Sequence, residues 1–213
     1  MQSLRRILEM PGAISAFDKG ISNFLCAKNE ELAYFLKNSA IEFEKLDKSR
    51  TYLLVDEEDE QDIPVLGYFS IAVHSIEIPE TMESKKIRLL DGYSAKNHNK
   101  TVASVPAYLI GQLAKNDLYA EDVDGDELLN AAINIVEKAR LIAGGRLIVI
   151  DCKPIQKLHD FYERNGFMMI GHNKESGLDQ FVYFMSTQWM QGGKVVDMTK
   201  ATNKAFKQAA DTN

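Results

Sequence analysis

The sequence predicts an α/β protein built on a mixed sheet, and three stretches carry that prediction. Between Val105 and Phe167 the chain reads as a strand (VPAYLIGQLAKN), a carboxylate-rich turn (LYAEDVDGDE), a long helix, a second strand (RLIVIDC) and a short helix ending in HDFYERNGF. Two strands joined through a helix of that length form a crossover, so they are expected to be parallel neighbours with the helix on one face. Upstream, RTYLLV (Arg50 to Val55) and VLGYFSIAVHSIEI (Val65 to Ile78) are rich in strand formers and flank a polar turn, which predicts an antiparallel pair. Leu147 to Ile150 is an unbroken apolar run, suited to a central strand covered on both faces.

Taken in order, residues 1–16 offer a short strand or helix ended by Pro11-Gly12. From Ile21 to Leu46 the apolar residues recur at three- and four-residue steps, predicting two helices broken near Lys28-Asn29. The polar segment from Pro79 to Ser104, interrupted only by Ile87 to Leu90, is expected to be a long surface excursion. Leu128, Leu129, Ala132, Val136, Ala139 and Ala143 mark one face of the long helix, which Gly144-Gly145 stops. The helix from about Pro154 to Arg164 carries proline in its first turn and is closed by Asn165-Gly166. Phe167 to Ile170 and Phe181 to Met185 read as the last two strands, and a frayed or weakly helical tail is expected beyond Trp189. The expected organisation is therefore a 1–16 segment, a 17–187 domain and a 188–213 tail.

Totals narrow the class of protein. With 45% hydrophobic and 26% charged residues, the 213-residue chain has an ordinary globular composition. It holds no apolar run near the roughly 18 residues of a membrane span and no secretory signal, so a cytoplasmic location with reduced Cys26 and Cys152 is expected. The net charge of −6 means that any nucleic-acid surface must gather its cations locally. The candidates are Arg5 with Arg6, Lys45 to Arg50, and Lys85 to Arg88. No metal site is expected. His74, His98, His159 and His172 lack ligand spacing, and the calcium-loop reading of DVDGD fails because Ile133 stands where a bidentate Glu is required.

The GQLA strand, the helix beginning GDELL and above all FYERNGF resemble the GNAT superfamily of acyl-CoA-dependent N-acetyltransferases. FDKGISNFL, SRTYLLV, VLGYFSIAVHSIEI and the VP-x-x-x-x-G-x-LA strand are similar to the GNAT toxins of bacterial toxin–antitoxin pairs, a resemblance covering about residues 17 to 186. It implies a mixed, mostly antiparallel sheet with helices on both faces and a splayed parallel pair that admits the pantetheine arm of acetyl-CoA. It further implies that Leu113, Ala114 and Lys115 pair with that arm, that the turn at Val123, Asp124, Gly125 and Asp126 receives the pyrophosphate, and that Phe161 borders the cofactor. Tyr162 would be the acid that protonates the departing thiolate. The implied partners are acetyl-CoA, an amine acceptor such as an aminoacyl-tRNA, an antitoxin protein, and a second copy in a homodimer.

One departure matters. The family turn is Gln or Arg, two residues, Gly, one residue, then Gly or Ala; here those positions are Ala120, Val123 and Gly125. Only the last glycine is kept, and Glu121, Asp122, Asp124, Asp126 and Glu127 crowd the place of a doubly charged group. Asp124-Gly125-Asp126-Glu127 also fits a helix capping box, a structural role for the same carboxylates. Tyr162 has its own structural alternative, an aromatic packed between helix and sheet with its hydroxyl satisfied. Cys152 reads as a buried thiol, and His159, one turn before Tyr162, as a neighbour that could tune it. Two other functions remain open: a degenerate GNAT-fold binding or regulatory protein, and an acetyltransferase for a protein lysine or a small cationic amine drawn by the acidic surface.

Overall fold

The structure, a computed structural model, describes residues 1–56, 62–92 and 102–185, together with the backbone of 188–191 and 194–197. In chain order the elements are β1 (Gln2–Ser3), α1 (Leu4–Glu9), α2 (Asp18–Ser22), α3 (Glu30–Asn38), α4 (Ala40–Lys45), β2 (Arg50–Val55) and β3 (Val65–Glu77). They continue as α5 (Ser84–Asp91), β4 (Ser104–Lys115), α6 (Gly125–Ala143), β5 (Leu147–Cys152), α7 (Gln156–Arg164), β6 (Met168–Asn173), β7 (Leu178–Phe184), β8 (Gln188–Gln191) and β9 (Lys194–Asp197). The sheet has seven strands in the order β1-β2-β3-β4-β5-β7-β6, with β4 and β5 parallel and the rest antiparallel. Tyr108 lies opposite Ile148 and Leu109 opposite Val149 in the parallel register.

The chain divides into two compact units, Met1–Ala72 with Ile110–Lys138 and Val73–Leu109 with Ala139–Asn213. In the first, Leu4, Ile7, Phe24, Leu36, Leu53 and Tyr68 are buried together. Phe24 meets the Tyr68 ring edge-on at 5.3 Å, and the Tyr68 hydroxyl donates to the Leu32 carbonyl at 2.6 Å. A large phenol can be buried because its one polar atom has a partner. Gly67 of β3 is tightly approached, since a Cβ there would lie 3.2 Å from the Ala114 carbonyl oxygen and 3.3 Å from the Leu128 side chain.

In the second unit Ile76, Leu90, Val105, Leu147, Val149 and Phe184 form the core. Leu147 to Ile150 are all buried, as the unbroken apolar run predicts. Past α6 the diglycine is a steric necessity. Gly144 and Gly145 have φ of +79° and +94°, and a Cβ on Gly145 would stand 2.7 Å from the Tyr108 ring. That closeness lets the Tyr108 hydroxyl donate to the Gly144 carbonyl at 2.7 Å.

Several expectations need correction. Inside the expected excursion of 79–104 lies α5, whose Leu90 is fully buried; two turns of helix show too little periodicity to stand out in sequence. The region after Gln188 begins with the antiparallel pair β8 and β9 rather than a frayed or helical tail, and 198–213 lie outside the described residues. Pro154 precedes α7 instead of sitting in its first turn, with Ile155 at the cap. Helices α2, α3 and α4 are separated near 23–29, as expected, and again at Ser39. Among the described residues no helix is long and apolar enough to cross a membrane.

Candidate functional site

At the end of β4 the backbone is held by a residue that the sequence reading passed over. Asn116 is 1% exposed. Its side-chain oxygen accepts from the N–H groups of Leu25 and Leu118, at 3.1 and 3.2 Å, while its amide nitrogen donates to the Val65 carbonyl at 2.8 Å. Its own backbone N–H donates to the Leu66 carbonyl at 2.8 Å. Next to it, the Asp117 N–H donates to the Leu25 carbonyl and the Asp117 carboxylate accepts from the Ala27 N–H, at 2.8 and 2.7 Å. A polar residue closing an apolar strand was the only sequence signal for this latch.

Leu113, Ala114 and Lys115 therefore end at a tethered corner, and the Lys115 ammonium crosses the following turn to donate to the Ala120 carbonyl at 2.7 Å. Val123 is buried at the foot of α6. The Asp124 carboxylate accepts from the Asp126 N–H at 2.9 Å, and the Asp124 carbonyl accepts from Leu128 N–H at 3.1 Å. Half of the expected capping box is present; among the described residues Glu127 makes no return bond to Asp124. One side-chain anion thus already sits at the positive end of α6, where an exogenous anion would be stabilised.

The other candidate residues belong to the second unit. Tyr162 is the buried residue of α7, and its ring lies against Phe161, Phe167 and Phe181 with centroids 5.1, 5.7 and 5.9 Å away. Among the described residues its hydroxyl makes no hydrogen bond. Burial, with the nearby Cys152 thiol adding to it, pushes the phenol above its ordinary pKa, so it holds its proton at neutral pH. Phe161 is half-buried, with the Arg164 guanidinium 4.9 Å over its ring. Cys152 is buried, and burial followed by the neighbouring Asp179 and Asp151 pushes its thiol up to about 11; such a thiol is a poor nucleophile.

His159, Asp179 and His172 form a cluster whose existence sequence reasoning missed. Its members lie on α7, β7 and β6, so no local spacing joins them. Among the described residues no group of three His, Cys, Asp or Glu side chains could hold a metal ion.

The strand order, with one parallel pair at its centre, and the helix α6 crossing between β4 and β5 make this the GNAT fold. No family model and no curated sequence matches the chain, whereas solved structures do. The toxin AtaT "complexed with acetyl-methionyl-tRNAfMet" has a TM-score of 0.59 at 21% identity, over 78% of this chain and 88% of that one. AtaTR "bound with AcCoA" has a TM-score of 0.62 at 20% identity, over 89% and 92%. A tyrosine-to-phenylalanine mutant of KacT has a TM-score of 0.60 at 21% identity, over 80% and 90%. At these identities the likeness is one of fold.

Proposed function

We propose that this protein is an N-acetyltransferase that moves acetyl from acetyl-CoA to a primary amine. The observation that carries the reading is Tyr162, whose phenol is enclosed by aromatic rings, keeps its proton, and has no hydrogen-bond partner among the described residues. The Tyr162 oxygen is not among the fully buried unpaired polar atoms, so, unlike the Tyr68 hydroxyl bonded to the Leu32 carbonyl, it is reachable from outside the core, as a proton donor must be.

Acetyl-CoA would supply the activated thioester carbon. Backbone groups of Leu113 to Lys115 would hold the pantetheine arm and steady the oxyanion that forms when the amine adds. Tyr162 would give its proton to the sulfur as the C–S bond breaks, while the amine loses one to solvent. The pyrophosphate would take the foot of α6 at Val123 to Asp126, where among the described residues the N–H groups of Gly125 and Glu127 donate no hydrogen bond.

For the acceptor, the AtaT complex with an acetylated aminoacyl-tRNA favours the amine of an aminoacyl-tRNA, and the complexes of AtaT with AtaR favour an antitoxin partner. In the first unit two of the candidate cations are already paired, while Arg6, Lys45 and Lys48 are exposed. Arg5 pairs with Glu9 and Asp47, and Arg50 with Asp47 and Glu44. Together with Arg6, Lys45 and Lys48, the Lys85 and Arg88 side chains, exposed on α5, would be the phosphate contacts. Calorimetry with acetyl-CoA tests the core of the proposal: saturable binding is expected, and no heat at millimolar cofactor would remove it.

A second reading is favoured by Asp124, whose carboxylate occupies the N-terminus of α6. On that reading the chain is a GNAT-fold binding protein without a pyrophosphate site. CoA affinity that appears only after charge reversal at Asp122, Asp124 and Asp126 would decide for it.

A further inference from the structure

We propose that His159, braced by Asp179, is a positioning residue for Tyr162, fixing the rotation of α7 so that the phenol keeps one orientation. The inference rests on the acetyltransferase reading and deepens it.

Helix α7 (QKLHDFYER) has little apolar surface with which to seat itself, and Tyr162 is its buried residue. Dispersion against a flat sheet face is non-directional and sets the rotation of so short a helix poorly. A polar contact comes from His159, whose Nε2 lies 2.8 Å from Asp179 Oδ2, close enough for an ion pair although among the described residues that ring nitrogen makes no hydrogen bond. The other oxygen of the same carboxylate faces His172, with Nδ1 2.7 Å from Oδ1.

Asp179 is 4% exposed, so its charge must be compensated within the protein. The hydrogen bond to His172, and then the nearby His159, hold its carboxyl below the ordinary carboxylate range. An ionised carboxylate only accepts, so the His172 Nδ1 that is hydrogen-bonded to it carries hydrogen. His159 is held by close approach to this carboxylate on a strand that is itself paired on both sides, with β5 and with β6.

The link to Tyr162 passes through one side chain. Phe181, fully buried on the same face of β7 as Asp179, has the His159 ring 5.1 Å away and the Tyr162 ring 5.9 Å away. A one-turn spacing on α7 therefore meets a two-residue spacing on β7, and only one rotation of the helix satisfies both contacts. Across the β5–β7 register Asp179 faces Cys152, the group whose proximity adds to the raised pKa of Tyr162. His172 has its side chain 43% exposed and serves to complete the carboxylate's partners.

The experiment uses the full chain with 3-fluorotyrosine at position 162 and the variants His159→Phe, His159→Gln and Asp179→Asn. His159→Phe keeps a ring on Phe181 without the nitrogen that faces Asp179, whereas His159→Gln restores a polar group without the ring. Expected are a displaced or broadened fluorine resonance in His159→Phe and Asp179→Asn, and a fall in kcat of about tenfold with KM for acetyl-CoA unchanged. His159→Gln should recover part of the loss. The decisive comparison is the double variant His159→Phe with Tyr162→Phe, whose kcat should equal that of Tyr162→Phe alone, because His159 acts only through that phenol. Multiplying losses, or an unmoved fluorine signal, would overturn the proposal. If the native chain transfers no acetyl group, the acetyltransferase reading falls, and the fluorine resonance alone decides whether His159 orients Tyr162.

Discussion

The Phe167 N–H donates to the Tyr162 carbonyl at 3.0 Å, and the rings of the same two residues lie 5.7 Å apart. Between them Gly166, at φ +84°, reverses the chain, while Asn165 N–H also reaches the Tyr162 carbonyl at 3.1 Å. The FYERNGF ending is thus a compact device in which backbone and ring contacts converge on one residue. Its physical content is a left-handed turn that folds the next aromatic back over the last helical one.

Replacing Gly166 by alanine tests that device. A side chain at positive φ is strained by about 1–2 kcal/mol, and the added Cβ would touch the Tyr183 ring at 3.4 Å. Chemical denaturation should register the loss as a lower midpoint with an unchanged slope.

Tyr162→Phe removes one oxygen from a buried aromatic cluster and should leave the fold intact. General acid catalysis is worth about 10²–10⁴-fold, so turnover should fall by at least tenfold while calorimetric affinity for acetyl-CoA stays near native. Unchanged turnover would refute the acid role.

Asp124→Ser retains a capping oxygen for the Asp126 N–H and discards the charge. Relief of repulsion at an exposed site should tighten CoA binding by about three- to tenfold, and salt should shrink the gain. Asp124→Ala, lacking the cap, should in addition lower stability by about 1 kcal/mol. Weaker CoA binding in the serine variant would show that the native carboxylate does not oppose the cofactor.

Asn116→Ala strips three side-chain hydrogen bonds at a nearly inaccessible position and leaves the Leu25 N–H and Val65 carbonyl without that partner. A loss of about 2–4 kcal/mol is expected on urea unfolding. Because the latch holds the corner that follows Lys115, CoA affinity should weaken as well.

Glu44 supplies a pH signature. Its carboxyl is fully buried, accepts the Thr51 N–H at 2.9 Å, and is pushed above the ordinary carboxylate pKa mainly by that burial. Between the unfolded and the higher folded pKa the native state keeps a proton that the unfolded state has lost. Stability contributed by this group is therefore present in acid and declines as pH rises through that window. Melting temperature followed upward from about pH 4 should lose this component of its slope in Glu44→Gln. A native-like slope in the variant would locate the titration elsewhere. Asp179, held below the ordinary range, acts in the opposite sense, and its contribution disappears as acid drives pH down through its folded pKa.

Much of the architecture was legible because it is written in local periodicity. Arg50–Val55 was read to the residue, and the parallel relation of β4 and β5 followed from the length of α6. Helix α5 escaped because eight residues give scarcely two turns of pattern, and its tie to the core, Leu90, is visible only once the chain is folded. The candidate site was legible where its residues are contiguous, as in FYERNGF and the acidic turn. It was illegible where partners come from distant strands, as with Asn116 and Leu25, or His159 and Asp179.

By itself the sequence determined the order and type of the major elements and the identity of the residues proposed for chemistry, since strand alternation, helical spacing and turn glycines act over a few residues. Tertiary structure alone decided the state of those residues. It left the Tyr162 phenol protonated without a partner among the described residues, set the Asp124 carboxylate at the N-terminus of α6, and closed Asp179 between two imidazoles. Burial and hydrogen-bond partnership are properties of what surrounds an atom, and those surroundings are assembled from segments far apart in the chain.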